Sequence, residues 1–200
     1  MLNDLPSLQN LIRILQQVPY LASKNIYRVA HYFLSLDSVK FEQFCTLLTE
    51  AKKNIAQCQS CFSWREKSRE CSLCNSSKRD KKTICVVESW HELMAIEKTS
   101  GYNGVYHVLG GVICPLEGIG PEDLTITSLI ERVSKSEIKE VILATNQTPE
   151  GEATATFIAS KLKPFSITVS CLARGIPVGM PLENIDKLTV YKALSERRLF

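Results

Sequence analysis

Two short knuckles, C-Q-S-C at 58–61 and C-S-L-C at 71–74, stand nine residues apart. Each C-x-x-C turn sets two sulfurs on one side of the chain, and a short return loop can bring the pairs together. Four thiolates at this spacing suit one tetrahedral ion, and soft sulfur donors in a closed set favour a structural Zn²⁺ with no open position for water. The expected ligands are Cys58, Cys61, Cys71 and Cys74. An iron–sulfur cluster fits the same spacing. Disulfides fit poorly, because the opening MLNDLPSLQN lacks the basic and apolar regions of a secretion signal, and the expectation is a cytoplasmic protein. Arg65, Lys67, Arg69, Lys78 and Arg79 lie close enough in sequence to offset the negative charge of a Zn(Cys)₄ centre. Of the other cysteines, Cys85 and Cys171 fall in apolar strands and read as core thiols. Cys45 is isolated. Cys114 falls in a loop with no neighbouring base to activate it.

Charge is unevenly spread. Residues 51–82 hold nine basic and three acidic side chains, whereas 83–200 hold eleven basic and fourteen acidic ones. A basic segment beside an acidic one suggests a polyanion on one side and a protein partner on the other; a solvated basic loop is the plainer alternative. A hydrophobic fraction of 44% across 200 residues is enough for a real core. No stretch approaches the roughly 18 apolar residues of a membrane helix.

Apolar residues recur at helical spacing in 7–17 (Leu8, Leu11, Ile12, Leu15), 23–36 (Ile26, Val29, Ala30, Phe33, Leu34, with Ser23 as N-cap) and 38–54 (Phe41, Phe44, Leu47, Leu48, Ala51). From residue 83 the texture becomes strand–helix alternation. TICVV, VYHVL, EVILA and ITVSCLA read as strands at 83–87, 105–109, 140–144 and 167–173. Ser89 and Glu92 form a capping box for WHELMAIEK. Helices are expected at 125–134 and 152–162. The β-α-β succession predicts a mainly parallel sheet covered by helices. In the tail, LTV is a strand candidate and the basic end is expected to be helical. The expected fold class is α+β. A helical region spans 1–54, a Cys₄ zinc finger 55–82, an α/β domain 83–175 and a C-terminal tail 176–200.

The pattern CVVE at 85–88, followed by ATNQTPEGEAT at 144–154, resembles a Toprim domain, the fold shared by type IA topoisomerases and DnaG-type primases. In metal-using members the first strand ends in Glu and a later one in Asp-x-Asp, with E-G-E following in the topoisomerases. Here Glu88 matches the first position and Glu150, Gly151 and Glu152 match E-G-E, but Asn146 and Thr148 stand at the two Asp positions. Two-metal phosphoryl chemistry needs several carboxylates, and Asn and Thr give a hard cation only neutral oxygens. The loop is therefore expected to be a remnant or a protein-docking surface. One weak Mg²⁺ site on Glu88, Asn146, Glu150 and Glu152 is the alternative. Gly151 reads as a tight turn before a helix.

Taken whole, the helical start, the four cysteines, CVVES, LEGIGPED, the EGEAT loop and ARGIPVG resemble the RecR family of bacterial recombination mediators. That resemblance implies a non-enzymatic DNA-binding repair protein, cytoplasmic and nucleoid-associated, assembled as a ring-like homotetramer. It implies action with RecF and RecO to help load RecA on gapped DNA. The competing function is a Mg²⁺-dependent nuclease or other phosphoryl-transfer enzyme. The resemblance also implies a helix-hairpin-helix with a P-G-I-G-P-K-type turn. Here the glycine positions hold Tyr20 and Ala22 and the second proline position holds Ser23, a departure that bears on close backbone–phosphate approach. Lys24 and Arg28 match the family's basic positions. Four residues apart, they share one helix face and are the expected DNA contacts. His31, His91 and His107 lack metal-ligand spacing and read as structural.

Overall fold

The computed structural model describes residues 4–197. The chain divides into two compact units, with the break between Ile55 and Ala56.

The first unit holds three helices: α1 (Pro6–Leu15), α2 (Ser23–Ser35) and α3 (Ser38–Asn54). Ile12 and Leu15 of α1 pack against Ile26 and Ala30 of α2, ringed by Leu8, Leu11, Leu21 and Val29. This is the stripe that the helical period predicts. Two details differ. Ser23 is the first helical residue rather than the cap; Ala22 holds the cap position and supplies no side-chain bond. Leu34 is exposed, not core. The third stripe is also open: α3 buries no residue, and Phe41, Phe44, Leu47 and Leu48 face outward. Asp37 starts α3 by accepting the Lys40 N–H at 2.9 Å.

Between α1 and α2, Tyr20 has φ of 64° and is fully exposed. The backbone thus keeps the left-handed bend that glycine adopts freely, at a cost to a tyrosine of about 1 kcal/mol.

At the break begins a two-stranded ribbon, β1 (Ile55–Gln57) and β2 (Trp64–Glu66), followed in the second unit by a single turn, α4 (Ser72–Asn75). Then follow β3 (Asp80–Val87), α5 (Trp90–Lys98), β4 (Gly104–Val108), α6 (Ile126–Lys135), β5 (Glu140–Leu143), α7 (Pro149–Leu162), β6 (Thr168–Cys171) and α8 (Lys187–Ser195). The sheet runs β4-β3-β5-β6, all parallel, with Cys85 opposite both Tyr106 and Ile142. Strand β3 is central and buried on both faces, so its apolar run is continuous rather than alternating. Ile84 and Val86 join Leu129, Val133, Ile158 and Leu162 of α6 and α7 on one face. Cys85 and Val87 join Leu93 of α5 on the other, where Phe62 and Leu73 of the cysteine segment also pack. That segment is therefore part of the sheet's cover, not an appendage.

Three expectations fail at the C-terminal side. Cys171 is exposed, not a core thiol, because β6 is the edge strand. Leu188, Thr189 and Val190 lie in α8, not a strand. Asp186 overrides their β-branched bias by accepting from both the Thr189 N–H and its hydroxyl. The helix stops at Ser195, so the basic end is not helical as far as Arg197; Arg198 lies outside the described residues. Among the described residues no helix is long and apolar enough to cross a membrane.

His107 is buried in β4, and its Nε2 lies 3.0 Å from the Thr125 carbonyl oxygen and 2.9 Å from Oγ1. The Thr125 hydroxyl donates to the Val108 carbonyl, so the imidazole N–H donates to the Thr125 carbonyl and Nδ1 is bare. Burial pushes the ring down to about 4 from 6.5. Above pH 6.5 neither state binds the proton. Below it the unfolded chain takes a proton that the folded chain refuses, so stability falls as pH drops towards 4. Urea unfolding at about pH 7.5 and about pH 5.5 is expected to show wild type losing on the order of 1 kcal/mol more than His107→Gln.

Candidate functional site

The four expected sulfurs meet. The Sγ atoms of Cys58, Cys61, Cys71 and Cys74 all lie within 4.8 Å of one another. Cys61 is 3.6 Å from Cys71, and Cys58 is 3.9 Å from Cys74. Four metal–sulfur bonds of about 2.3 Å in a tetrahedron set sulfurs about 3.8 Å apart, so the spacing fits one ion. Three of the cysteines are buried and Cys74 is half-buried, which leaves little room for a water ligand. The knuckle folds locally: Cys58 N–H donates to the Ser63 carbonyl, Phe62 N–H to the Cys58 carbonyl, and Phe62 takes a φ of 59°. The Val108 N–H then donates to the Cys61 carbonyl and fastens the knuckle to β4.

Of the cations expected from sequence proximity, Arg65, Lys67 and Arg69 line a cavity beside the cysteines, but the cation that lowers Cys74 comes from elsewhere. Arg65 donates to the carbonyls of Glu66, Lys67 and Arg69 and braces its own loop. Arg79 pairs with Glu97 at 2.5 Å and lies over the Tyr106 ring. Instead Arg132, from α6, donates to the Tyr106 carbonyl at 2.7 Å and to the Ser60 carbonyl at 3.3 Å. Cys74 is held below the ordinary thiol range, first by its hydrogen bond with Cys61 and also by the Arg132 guanidinium. Nothing in the sequence flags Arg132, which belongs to an ordinary polar helix face far along the chain.

The acidic loop is built differently. Glu88 ends β3, and Asn146 follows β5 beside it. The Asn146 backbone N–H donates to Glu88 Oε1 at 2.6 Å and its side-chain Nδ2 to Oε2 at 2.7 Å. Thr148, at the second Asp position, caps α7 by accepting the Gly151 N–H at 3.1 Å. Gly151 lies inside α7, not in a turn before it. A Cβ there would overlap the Asn146 carbonyl oxygen and come within 2.8 Å of Glu88 Oε1, so glycine permits the helix to approach the loop. Glu150 contributes its carbonyl to Thr154, whose buried hydroxyl accepts the Ile113 N–H. Glu152 is bound by Lys192 at 2.9 Å and Arg174 at 3.3 Å, and these cations hold its carboxyl below the usual range. Glu88 and Glu152 thus have separate partners. Among the described residues, the only group of three or more Cys, His, Asp or Glu placed to share an ion is the cysteine set. The Arg174 and Lys192 contacts had no sequence signal.

Glu92 sits beside the loop. Burial raises its carboxyl, but bonds from Ser89 and Asn146 outweigh that and hold it low. Here the expected capping box is present. In the helical unit, Lys24 and Arg28 are both exposed on α2, on the face away from Ile26 and Ala30.

A parallel sheet whose first strand ends in Glu88, with the EGEAT helix packed against it, defines the class: residues 82–173 match the Toprim domain model. Similarity extends well beyond that domain. The chain is 42% identical over 194 residues to Recombination protein RecR of Cytophaga hutchinsonii, covering 96% of this chain and 94% of that one. It is 41% identical over 196 residues to the protein of that name from Chloroherpeton thalassium, covering 96% of each. It is 42% identical over 193 residues to that from Gloeothece citriformis, again covering 96% of each. The chain belongs to the RecR family.

Asn146→Asp tests the loop directly. Two carboxylates would then face each other where an amide now donates. The variant is expected to lose about 1–3 kcal/mol in chelator and to recover part of it with added Mg²⁺, read as melting temperature. Wild type should show no Mg²⁺ response.

Proposed function

We propose that the chain is a non-enzymatic, DNA-binding protein of recombinational repair. The observation that carries this reading is the Glu88–Asn146 pair. The carboxylate that a metal-using Toprim enzyme gives to a cation is here satisfied by an amide of the same chain. A donor in that place does what the ion would do for Glu88, without supplying any Lewis acidity to a phosphate. The names of the relatives, each a recombination protein, support the same role.

In this reading the division is a helix-hairpin-helix region at 1–54, a zinc finger at 55–82, a Toprim domain at 83–175 and a tail at 176–200. One structural Zn²⁺ is held by Cys58, Cys61, Cys71 and Cys74; a metal with four sulfurs at single-ion spacing supplies cross-linking, not catalysis. Lys24 and Arg28 meet DNA phosphate. No base-reading motif accompanies them, so recognition is of backbone rather than sequence. The left-handed bend at Tyr20 supports a hairpin of the phosphate-approaching kind. The acidic face around Glu88, Asn146, Glu150 and Glu152 serves as a docking surface for protein partners. The partners are RecF and RecO, and the complex helps load RecA on gapped DNA. The working form is a homotetrameric clamp in the cytoplasm, associated with the nucleoid.

Light scattering with and without a gapped duplex tests the assembly and the binding together. The expected result is a multimer that binds DNA with strong salt dependence. Replacing Lys24 and Arg28 together by Gln should reduce the slope of log K against log salt by about 1.8, at about 0.9 per phosphate contact. A monomer that binds DNA indifferently to salt would refute the reading.

A further inference from the structure

Two cavities open on the second unit, outside both the hairpin cations and the acidic loop. One, of about 500 Å³, is lined by Arg65, Lys67 and Arg69, with Glu70 among them. The other, of about 360 Å³, is lined by Lys81, Lys82 and Arg132, with Glu137 among them. Both are also lined by Ser60, Cys74 and Asn75, so the two adjoin at the sulfur cluster and together make a trough.

Formal charge lining the trough is unbalanced towards positive. Six cations face two carboxylates. A Zn(Cys)₄ centre, doubly negative with all four thiols ionised, still leaves an excess of about two positive charges. None of Arg69, Lys81, Lys82 and Arg132 is paired with a carboxylate among the described residues. Glu70 accepts a bond from Asn75. Between the cations the lining is mainly hydroxyl and amide, from Ser60, Ser68, Asn75 and Ser136; its aliphatic residues, Val105 and Ile138, are buried, and no aromatic side chain lines either cavity. Protein partners are anchored by buried aromatic and apolar groups. Phosphate backbones are held by Lys and Arg with Ser and Asn beside them.

We propose that this trough is a second nucleic-acid contact, in which Lys81, Lys82 and Arg132 hold the phosphates of a strand that passes over the cysteine centre. The inference rests on the DNA-binding reading above but assigns a separate surface to it. It gives the basic segment 51–82 a task beyond balancing the metal. Arg132 has two roles here: one nitrogen braces the knuckle through Ser60 and Tyr106, and the rest of the guanidinium faces the trough.

The test replaces Lys81 and Lys82 together by Gln. Both are exposed, so the fold should hold, and zinc content with circular dichroism checks that it does. Labelled single strands and duplexes are titrated between about 50 mM and about 200 mM salt. The expected outcome is a salt slope smaller by about 1.8 on duplex or about 1.4 on single strand, and the arm that responds identifies the strand type. Combining these changes with Lys24→Gln and Arg28→Gln should add their losses. An unchanged slope, in a background where the Lys24 and Arg28 changes still reduce binding, would overturn the trough and leave the DNA-binding reading intact. Loss of inorganic phosphate binding with no change on either strand would make this a small-anion site and overturn the proposal too. No salt-sensitive DNA binding by wild type would remove both readings.

Discussion

Four sulfurs held within 4.8 Å of one another are the constraint on which the second unit depends. Thiols do not gather in this way for their own sake. When ionised they repel, and a single bound cation would reconcile them. The consequence reaches the sheet. The knuckle that presents Cys58 and Cys61 also turns Phe62 toward His107, with ring centroids 5.3 Å apart. Phe62 and Leu73 then help cover Cys85, Val87 and Tyr106. One face of the Toprim sheet is thus closed partly by residues whose positions are set by the cysteines, and Arg132 spans the junction from the opposite helical layer.

In the acidic loop, an amide of the same chain occupies the carboxylate that ends the first strand of the Toprim frame. Removing a carboxylate alone would leave Glu88 as an uncompensated anion at a sheet end. Asn146 supplies two donors, one from backbone and one from side chain. Thr148 is meanwhile employed as the cap of α7, and Glu152 is drawn to the C-terminal cations. Glu88, Asn146, Thr148 and Glu152 each have a bonding partner within the chain.

Much of this was legible in the sequence because it is local. The C-x-x-C pairs, the Ser89–Glu92 capping box, the continuous apolar strands and the stripe of α1 and α2 each declare themselves within a few residues. What the sequence concealed depends on distant neighbours. The spacing of Phe41, Phe44, Leu47 and Leu48 predicts a buried face, but apart from the contact of Phe44 with Phe33 that face stays open. Cys171 looks like a core thiol until β6 proves to be an edge. Leu188, Thr189 and Val190 favour a strand by composition, yet one capping aspartate decides for helix. Gly151 was visible as a glycine, but its reason, the close pass of α7 over Asn146, lies in the pairing of β3 with β5. Arg132 and Lys192 carry no local signal at all.

The central claim is that the loop around Glu88 binds no catalytic cation and the protein holds DNA without cutting it. The most direct measurement incubates wild type and Glu88→Gln with gapped duplex and with supercoiled plasmid, in Mg²⁺ and in chelator, and then inspects the DNA. This account predicts that every strand stays intact in both proteins and under both conditions. Nicks that require Mg²⁺ and vanish with Glu88→Gln would contradict it, since they would mean that Asn146 yields Glu88 to a metal and that the remaining glutamates suffice for phosphoryl transfer.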